Sequence, residues 1–348
     1  AAFIRERKSA ESGIKFLVLS AVSSAVLLYG MVLVYGLTGT SHLSEIASSI
    51  ADHGLESSPA LLFGIVLITA GFGFKISAVP FQMWAPDVYE GAPTPVTGFL
   101  SVASKAAGFA VILRVFYTSF GLDSANIDWA NMIAVLSAIS MSVGNLIAIR
   151  QNNIKRMLAY STVAQAGYLM VGLAAITALP GGDDNAGPIG VLFYLAGYAM
   201  TNLAAFSVII AVTHKTNNDS ISSFSGLAKA SPLIAVAMTL AMISLIGIPP
   251  TVGFMAKIYL FGAAMDTGLE WLAIVGVVNS VISAYYYLRV VKVMFLSDPE
   301  ENGEDSKTSY GVGAVSAAVI AMAGTFLFGI YPAPILRIAH TAIDSLIG

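Results

Sequence analysis

Long apolar runs separated by short polar connections dominate the pattern along this chain. We identify nine runs, at about 10–37, 58–79, 95–118, 129–149, 155–178, 187–213, 231–262, 268–295 and 310–332. Runs of about 20 apolar residues are the length that an α-helix needs to cross a bilayer. The weaker alternation of membrane barrel strands is absent from the sequence. The pattern therefore predicts an all-α polytopic membrane protein with nine transmembrane helices.

Prolines interrupt two of these runs. Pro80 follows the second run, and Pro249 and Pro250 lie inside the seventh. Proline cannot donate a backbone hydrogen bond and clashes with the preceding turn, so both helices are expected to break. Broken backbone at membrane depth occurs where protein or water satisfies the freed groups, and transporters place ion sites there. The two broken helices run in opposite directions, which fits an inverted repeat; an ordinary proline kink is the alternative.

The composition supports a membrane class. The 348 residues are 57% hydrophobic and only 11% charged, with a mean hydropathy of +0.80, whereas soluble domains carry about 25% charged residues. The chain has no cysteine, so it holds no disulfide or thiolate-bound metal or cluster. Its four histidines are scattered, and we predict no metal site.

Charge alternates between the connections. Basic residues mark one side: Arg5, Arg7, Lys8, Arg150, Lys155, Arg156, Lys215, Lys229, Arg289, Lys292 and Lys307. Acidic residues and histidines mark the other: His42, Glu45, Asp52, His53, Glu56, Asp123, Asp128, Asp183, Asp184, Asp266 and Glu270. The positive-inside rule places the first set, here called the basic side, in the cytoplasm. The chain then begins inside and ends outside.

Three lysines lie inside apolar runs that carry no acidic residue in their interiors. They are Lys75, Lys105 and Lys257. A charge at mid-membrane costs at least about 3 kcal/mol, so each lysine must face water, find a partner or release its proton. We predict that all three belong to a proton relay. Interhelical hydrogen bonding is the alternative for Lys105, and snorkelling to the outer surface is the alternative for Lys257.

Other polar residues carry weaker signals. Glu11 and Lys15 are spaced i, i+4 and form either a surface pair or a proton access point. Asp87 and Glu90 are expected to rigidify a turn, and the run Tyr285-Tyr286-Tyr287 is interpreted as an interfacial belt. No nucleotide loop, zinc motif or Ser/His/Asp arrangement is present, and no histidine pair suits haem.

Several motifs resemble the antiporter-like subunits of respiratory complex I, above all those of the N type. They are Ser9-Ala10-Glu11-Ser12-Gly13-Ile14-Lys15-Phe16, Gly73-Phe74-Lys75-Ile76-Ser77-Ala78-Val79-Pro80-Phe81, the stretch from Trp84 to Val96, Lys155-Arg156-Met157-Leu158-Ala159-Tyr160-Ser161, Ser244-Leu245-Ile246-Gly247-Ile248-Pro249-Pro250 and Gly253-Phe254-Met255-Ala256-Lys257-Ile258-Tyr259. The resemblance extends over essentially the whole chain. Lysine at positions 105 and 257 is similar to the N type, because L-type subunits carry His at the first position and M-type subunits carry Glu at the second.

The resemblance implies a fold of fourteen helices in two inverted five-helix repeats. The nine predicted helices would be the sixth to the fourteenth. Residues 1–118 would then close the first repeat, 119–297 form the second, and 298–348 supply a cytoplasmic loop and a final helix. The chain has no initiator Met, and we expect residues before Ala1 that include a glutamate partner for Lys75. Gln82 stands where many relatives have His, and an amide side chain can hold water but cannot change charge.

The resemblance also implies proton translocation by a non-redox subunit of an NADH:quinone oxidoreductase. Lys75, Lys105, Lys257, Lys15 and Glu11 would carry the protons, while FMN, iron–sulfur clusters and quinone would bind in partner subunits. The expected partners are M-type and small K-, J- and A-type membrane subunits and the lipid bilayer, with no nucleic acid. The expected location is the bacterial inner membrane, or the thylakoid membrane for a ferredoxin-driven relative. The alternatives are a subunit of an Mrp-type sodium/proton antiporter and a structural scaffold.

Overall fold

The computed structural model describes residues 7–55, 58–120, 129–175, 185–298 and 310–347. Within these ranges the regular structure is helical, with one isolated bridge between Asn153 and Ser220. Seven of the loop residues named above lie outside the described part of the chain: Arg5, Glu56, Asp123, Asp128, Asp183, Asp184 and Lys307.

The helices follow one another in this order: α1 Arg7–Thr38, α2 Leu43–Asp52, α3 Pro59–Ile76, α4 Trp84–Gly91, α5 Thr94–Phe99, a π-turn Leu100–Ser104, α6 Lys105–Ser119, α7 Trp129–Ala148, α8 Ile154–Ala174, α9 Ala186–Thr216, a 3-10 turn Ile221–Phe224, α10 Leu227–Ala230, α11 Pro232–Ile246, α12 Val252–Asp266, α13 Glu270–Leu296, α14 Val312–Ile330 and α15 Ala333–Ile347.

Eight helical stretches in the described ranges are long and apolar enough to cross a membrane. They coincide with eight of the nine predicted runs, so the all-α membrane class is confirmed. The remaining run, 231–262, is divided between α11 and α12, which are 15 residues each. Neither half reaches the length of a spanning helix by itself. The count of nine spans and the inverted repeats therefore stay predictions.

The interruption predicted near Pro80 is present. Helix α3 ends at Ile76, Ser77 adopts a left-handed conformation with φ 63°, and α4 begins at Trp84. The last carbonyls of a helix have no partner within it. Here the carbonyl of Phe74 accepts hydrogen bonds from the Trp84 indole at 2.8 Å and from the Ser77 amide at 3.1 Å.

The double proline interrupts the seventh predicted run in the same way. Helix α11 ends at Ile246, Gly247 is left-handed with φ +90°, and α12 begins at Val252. The Gly253 amide donates to the Ser244 hydroxyl at 3.2 Å, which ties the two halves together across the break. Both interruptions therefore leave helix-end carbonyls inside the bundle.

Helix α8 lies at the centre of the molecule and is buried on nearly all sides. It packs closely on α7, because a Cβ at Gly144 would lie 2.6 Å from the Ala164 amide nitrogen. Small residues permit this backbone approach in membrane bundles. By contrast, α1 and α14 are mostly exposed. The close pair of α7 and α8 therefore forms the centre on which the other helices pack.

Helix α15 follows the last predicted span and was not predicted. Its buried residues Ile335, Ala339 and Ile343 recur every four positions and form one apolar stripe. Ala339 and Ile343 pack against Ile189 of α9. The run of apolar residues is too short and too interrupted to suggest a span, which is why hydropathy alone missed it.

Candidate functional site

Lys105 begins α6 and is only 2% exposed. Its amine donates a 2.7 Å hydrogen bond to the carbonyl of Ile76, the last residue of α3. The carboxyl end of a helix carries partial negative charge, and the carbonyls there are unsatisfied. The first broken helix therefore supplies the partner of Lys105. Among the described residues this partner is a helix end and not a carboxylate.

Lys257 lies in α12 and is 5% exposed, so it does not snorkel to the surface. Its amine donates to the carbonyl of Ile246, the last residue of α11, at 2.7 Å. It also donates to the Ser280 hydroxyl at 2.9 Å and lies 4.2 Å from the centre of the Tyr168 ring. The aromatic face adds attraction for a cation. The second broken helix thus holds its lysine as the first does.

Lys75 lies in the last turn of α3 and is half-buried. Its backbone neighbour Ile76 is the residue that accepts from Lys105, and its Cβ faces Gly108 of α6. No hydrogen bond or ion pair to its amine is found within the described ranges. The structure therefore places Lys75 beside Lys105 and brings neither of them into contact with Lys257.

Glu11 and Lys15 belong to a larger ionic cluster on the basic side. Lys15 pairs with Glu11 at 2.7 Å and with Asp87 at 2.9 Å. Arg156 continues the cluster, because its guanidinium contacts Asp87 at 2.8 Å and Glu90 at 2.9 Å. Asp87 and Glu90, predicted only to rigidify a turn, therefore join α1 to α8. We call these five residues the ionic cluster.

The protonation of Asp87 is governed by two opposed effects. Partial burial alone would raise the pKa of its carboxyl, but hydrogen bonds from Lys15 and Arg156 outweigh it and lower the pKa below its usual value. Asp87 is therefore charged at neutral pH, and the ionic cluster is intact there.

A chain of buried hydrogen bonds runs from the π-turn toward the bundle centre. Asn202 of α9 donates to the Ser101 hydroxyl at 2.8 Å and to the Tyr198 hydroxyl at 2.9 Å. The Tyr198 hydroxyl lies 2.9 Å from the Thr162 hydroxyl on α8. Ser101 in turn belongs to the segment that leads into Lys105. These neutral groups donate and accept hydrogen bonds, and they start in the π-turn that precedes Lys105.

A second series of buried hydrogen bonds extends to Lys257. Gln165 of α8 accepts from the Tyr194 hydroxyl and donates to the carbonyl of Leu245 at 3.2 Å. The same carbonyl lies 3.4 Å from the Lys257 amine. A cavity of about 10 Å³ lined by Tyr194, Tyr198 and Gln165 lies between the two parts, and this is about the volume that one water needs. We call the two parts together the polar chain.

The interpretation of the tyrosine run was wrong for two of its members. Tyr285 is 65% exposed, as an interfacial residue would be. Tyr286 and Tyr287 are fully buried. Tyr286 donates to Asn145 at 2.9 Å, and Tyr287 bonds Ser161 and lies 3.3 Å from the Gln165 amide. Because α13 packs on α7 and α8, this turn of the helix faces the interior.

The side chain of Gln82 adds one unsatisfied group next to the first break. Its Oε1 is buried and accepts no hydrogen bond from the described residues. Such an orphan acceptor usually binds water. No group of three or more histidine, aspartate or glutamate side chains in the described ranges is arranged to hold a metal ion.

The polar chain was not predicted, because its residues are neutral and lie inside apolar runs. A signal was present, since Tyr194, Tyr198 and Asn202 recur every four residues inside an apolar run, as do Ser161 and Gln165. Residues four apart share one face of a helix. A polar stripe on a transmembrane helix indicates an interior that is not purely apolar.

The chain matches one family profile over most of its length. The family described as NADH:quinone oxidoreductase/Mrp antiporter, TM, matches residues 1–283. A similar protein is NADH-quinone oxidoreductase subunit N of Desulforamulus reducens, 49% identical over 342 residues. The alignment covers 98% of this chain and 69% of that relative.

Solved structures of the same fold include respiratory complex I of Thermus thermophilus with bound aureothin. Its matching chain has a TM-score of 0.79 and 32% identity, over 97% of this chain and 70% of that one. The Mrp complex of Dietzia sp. matches with a TM-score of 0.85 and 24% identity, over 98% of this chain and 69% of that one. At that identity the second likeness shows the fold alone.

Proposed function

Because the chain belongs to the NADH:quinone oxidoreductase/Mrp antiporter family of transmembrane proteins, we propose that it moves protons as a membrane-arm subunit of an NADH:quinone oxidoreductase. It couples quinone reduction in partner subunits to proton translocation across the bilayer. The identity to subunit N relatives, 49% over nearly the whole chain, supports this function over that of an Mrp antiporter subunit. The chain itself acts without a redox centre.

One observation carries the proposal: two lysines inside the membrane bundle each bond the last carbonyl of a broken helix. The bonds join Lys105 to Ile76 and Lys257 to Ile246, both at 2.7 Å. A helix end attracts an ammonium group without fixing it as a full carboxylate would. Both amines are buried, and that of Lys257 also donates to the Ser280 hydroxyl at 2.9 Å. Such an amine can take up a proton and pass it on. A protein with a purely structural role would not require an amine at these positions.

The relay uses the residues in a fixed order. Protons arrive from the basic side, pass the ionic cluster with Glu11 and Lys15, and charge the region of Lys75 and Lys105. Lys257 leads to the opposite side of the membrane. A charge on one lysine disfavours a charge on its neighbour, and this repulsion drives the proton onward.

The surroundings of the chain follow from this role. Its partners are M-type and small K-, J- and A-type membrane subunits, and FMN, iron–sulfur clusters and quinone are held by other subunits of the complex. The bacterial inner membrane is its location, in keeping with the bacterial relatives. The large exposed apolar faces of α1 and α14 are available for partner helices and lipid.

Replacing Lys75 tests the proposal. We expect Lys75→Ala to abolish proton pumping by the assembled complex, because the amine beside Lys105 is lost. The assay is quinone-reduction-driven proton uptake in inverted membrane vesicles, with assembly checked by native electrophoresis. Lys229→Ala serves as the control, since that lysine is 67% exposed and pairs with Asp298 at the surface. Full pumping by an assembled Lys75→Ala complex would refute the assignment. Co-purification with quinone-site and iron–sulfur subunits separates the proposal from an antiporter complex.

A further inference from the structure

A large cavity opens on the basic side next to the polar chain. Its volume is about 640 Å³, and its walls include Pro95, Lys155, Ile210, Thr213 and His214. Charged and polar side chains line much of it, so water can fill it. We call this cavity the vestibule. Glu90 of the ionic cluster also lines it, so the vestibule adjoins the entry route proposed above.

The walls of the vestibule are fixed by the backbone around the start of α8. The Ile154 amide donates to the Asp219 carbonyl at 2.8 Å, and Lys155 pairs with the Asp219 carboxylate at 2.8 Å. The Lys155 amine also lies 3.4 Å from the carbonyl of Ala92, ahead of α5. These contacts tie the segment before α5 and the segment after α9 to the start of α8. The opening is therefore built into the fold.

Helix α9 leads from the vestibule to the polar chain in steps of one turn. His214 and Ile210 line the vestibule, Phe206 comes next, and Asn202 follows. Residues four apart lie one above the other on a helix. Phe206 is 1% exposed and is not part of the vestibule wall, and Asn202 already bonds Ser101 of the polar chain. Along this face of α9, the aromatic residue Phe206 thus lies between the vestibule and the buried hydrogen-bonding groups.

The ring of Phe206 lies against Gly98 of α5. A Cβ at Gly98 would lie 3.2 Å from the Cβ and 3.4 Å from the Cγ of Phe206. Gly98 also presents its carbonyl to the Ser101 hydroxyl at 2.7 Å. The glycine therefore lets the ring close the gap between α5 and α9 directly above the polar chain. A hydrophobic constriction of this kind gates a path by excluding water from it.

We propose that the vestibule is the basic-side opening of the polar chain and that Phe206, seated on Gly98, is the residue that seals it. This proposal rests on the proposed proton translocation, because it names the route by which protons reach the region of Lys105. Phe206 acts by position and takes no proton itself.

Thiol labelling tests the seal without requiring any pumping. The sequence contains no cysteine, so any labelling that mass spectrometry detects in it comes from the cysteine that was introduced. Asn202→Cys and Ile210→Cys are introduced separately into the full complex, and inverted vesicles are treated with a membrane-impermeant methanethiosulfonate. We expect Ile210→Cys to react at least tenfold faster than Asn202→Cys. Adding Phe206→Ala should accelerate labelling of Asn202→Cys at least tenfold.

A phenylalanine on the same helix supplies the matched control. Phe193 is also fully buried, but it lies in the first half of α9 and makes an edge-to-face contact with Tyr259 of α12. Phe193→Ala should leave the labelling of Asn202→Cys unchanged. Equal labelling of the Asn202→Cys and Ile210→Cys variants, with Phe206 intact, would overturn the proposal. So would an acceleration that Phe193→Ala reproduces or that Phe206→Ala fails to produce.

A second arm links the vestibule to transport. A bulky maleimide on Thr213→Cys should lower pumping at least fivefold relative to the same variant before modification. If the modified complex pumps at the full rate while Lys75→Ala does not, the vestibule is not the opening but the relay stands. If Lys75→Ala pumps normally and the labelling results hold, the seal stands and the proposed relay falls.

Discussion

Gly247 offers a way to displace Lys257 without altering its charge. The glycine has φ +90°, and a Cβ at this position would lie 2.8 Å from Cδ and 3.4 Å from the amine of Lys257. Because a lysine side chain is flexible, the amine should move away before the backbone does. Gly247→Ala is therefore expected to break the 2.7 Å bond from Lys257 to the Ile246 carbonyl.

The size of the effect follows from that bond. A hydrogen bond from a charged group contributes about 1.5–3 kcal/mol, and about 1.4 kcal/mol corresponds to a tenfold change in rate. The pumping rate should fall by about tenfold to about a hundredfold. The left-handed backbone adds about 1–2 kcal/mol of destabilisation for any residue with a Cβ. That part of the cost would appear in thermal unfolding and would not by itself slow proton transfer.

Gly268 is the matched control for the backbone cost. It also has a positive φ, +77°, but no atom lies within 4 Å of a Cβ built there. Gly268→Ala should lose similar stability and keep its pumping rate. The assay is proton uptake by inverted vesicles, normalised to the amount of assembled complex. If the two variants pump equally at equal assembly, the helix-end carbonyl is not part of the site, and the argument from Lys257 fails.

Two further results are expected. Asp87→Asn removes a charge from the ionic cluster and should lower stability at neutral pH by less than about 1 kcal/mol, because the pairs are partly exposed. Since the fold lowers the pKa of Asp87, the stability that its charge contributes is present above the usual pKa of 3.8 and is lost as pH falls through the lowered pKa. Thermal melts of the variant and the native protein from pH 7 to pH 3 check this. A stability difference that stays constant over that range would contradict the expected pH dependence. Tyr287→Phe should cost about 1–3 kcal/mol of unfolding free energy, because it leaves buried partners unsatisfied, whereas Tyr285→Phe at the exposed position should cost nothing measurable in the same denaturation assay.

Much of the fold could be predicted from hydropathy and proline positions. Eight helices occupy the predicted runs, and both breaks lie at the prolines that predicted them. These features are local, because helix length and backbone hydrogen bonding depend on neighbouring residues. Helix α15 escaped prediction because its apolar stripe becomes meaningful only when Ile189 of α9 lies beside it.

The site was harder to predict than the fold. The burial of Lys105 and Lys257 followed from their depth in apolar runs, but their partners did not. Carbonyls of Ile76 and Ile246 carry no sequence signature, because every residue has one. The ionic cluster joins residues 72 positions apart, Lys15 and Asp87. Pairings over such separations depend on tertiary packing and cannot be derived from spacing in one chain.

The hydrogen bonds of Lys257 and Lys105 to helix-end carbonyls respond differently to helix movement. Lys257 and Ile246 belong to the two halves of one interrupted helix, 11 residues apart, so their bond travels with that helix as a unit. Lys105 and Ile76 lie on separate helices, 29 residues apart. Sliding α6 along α3 by about 1 Å would stretch this bond by up to about 1 Å, past the distance at which a hydrogen bond holds. A helix displacement caused by a neighbouring subunit would therefore break the hydrogen bond of Lys105 first, while Lys257 would stay bonded to its carbonyl.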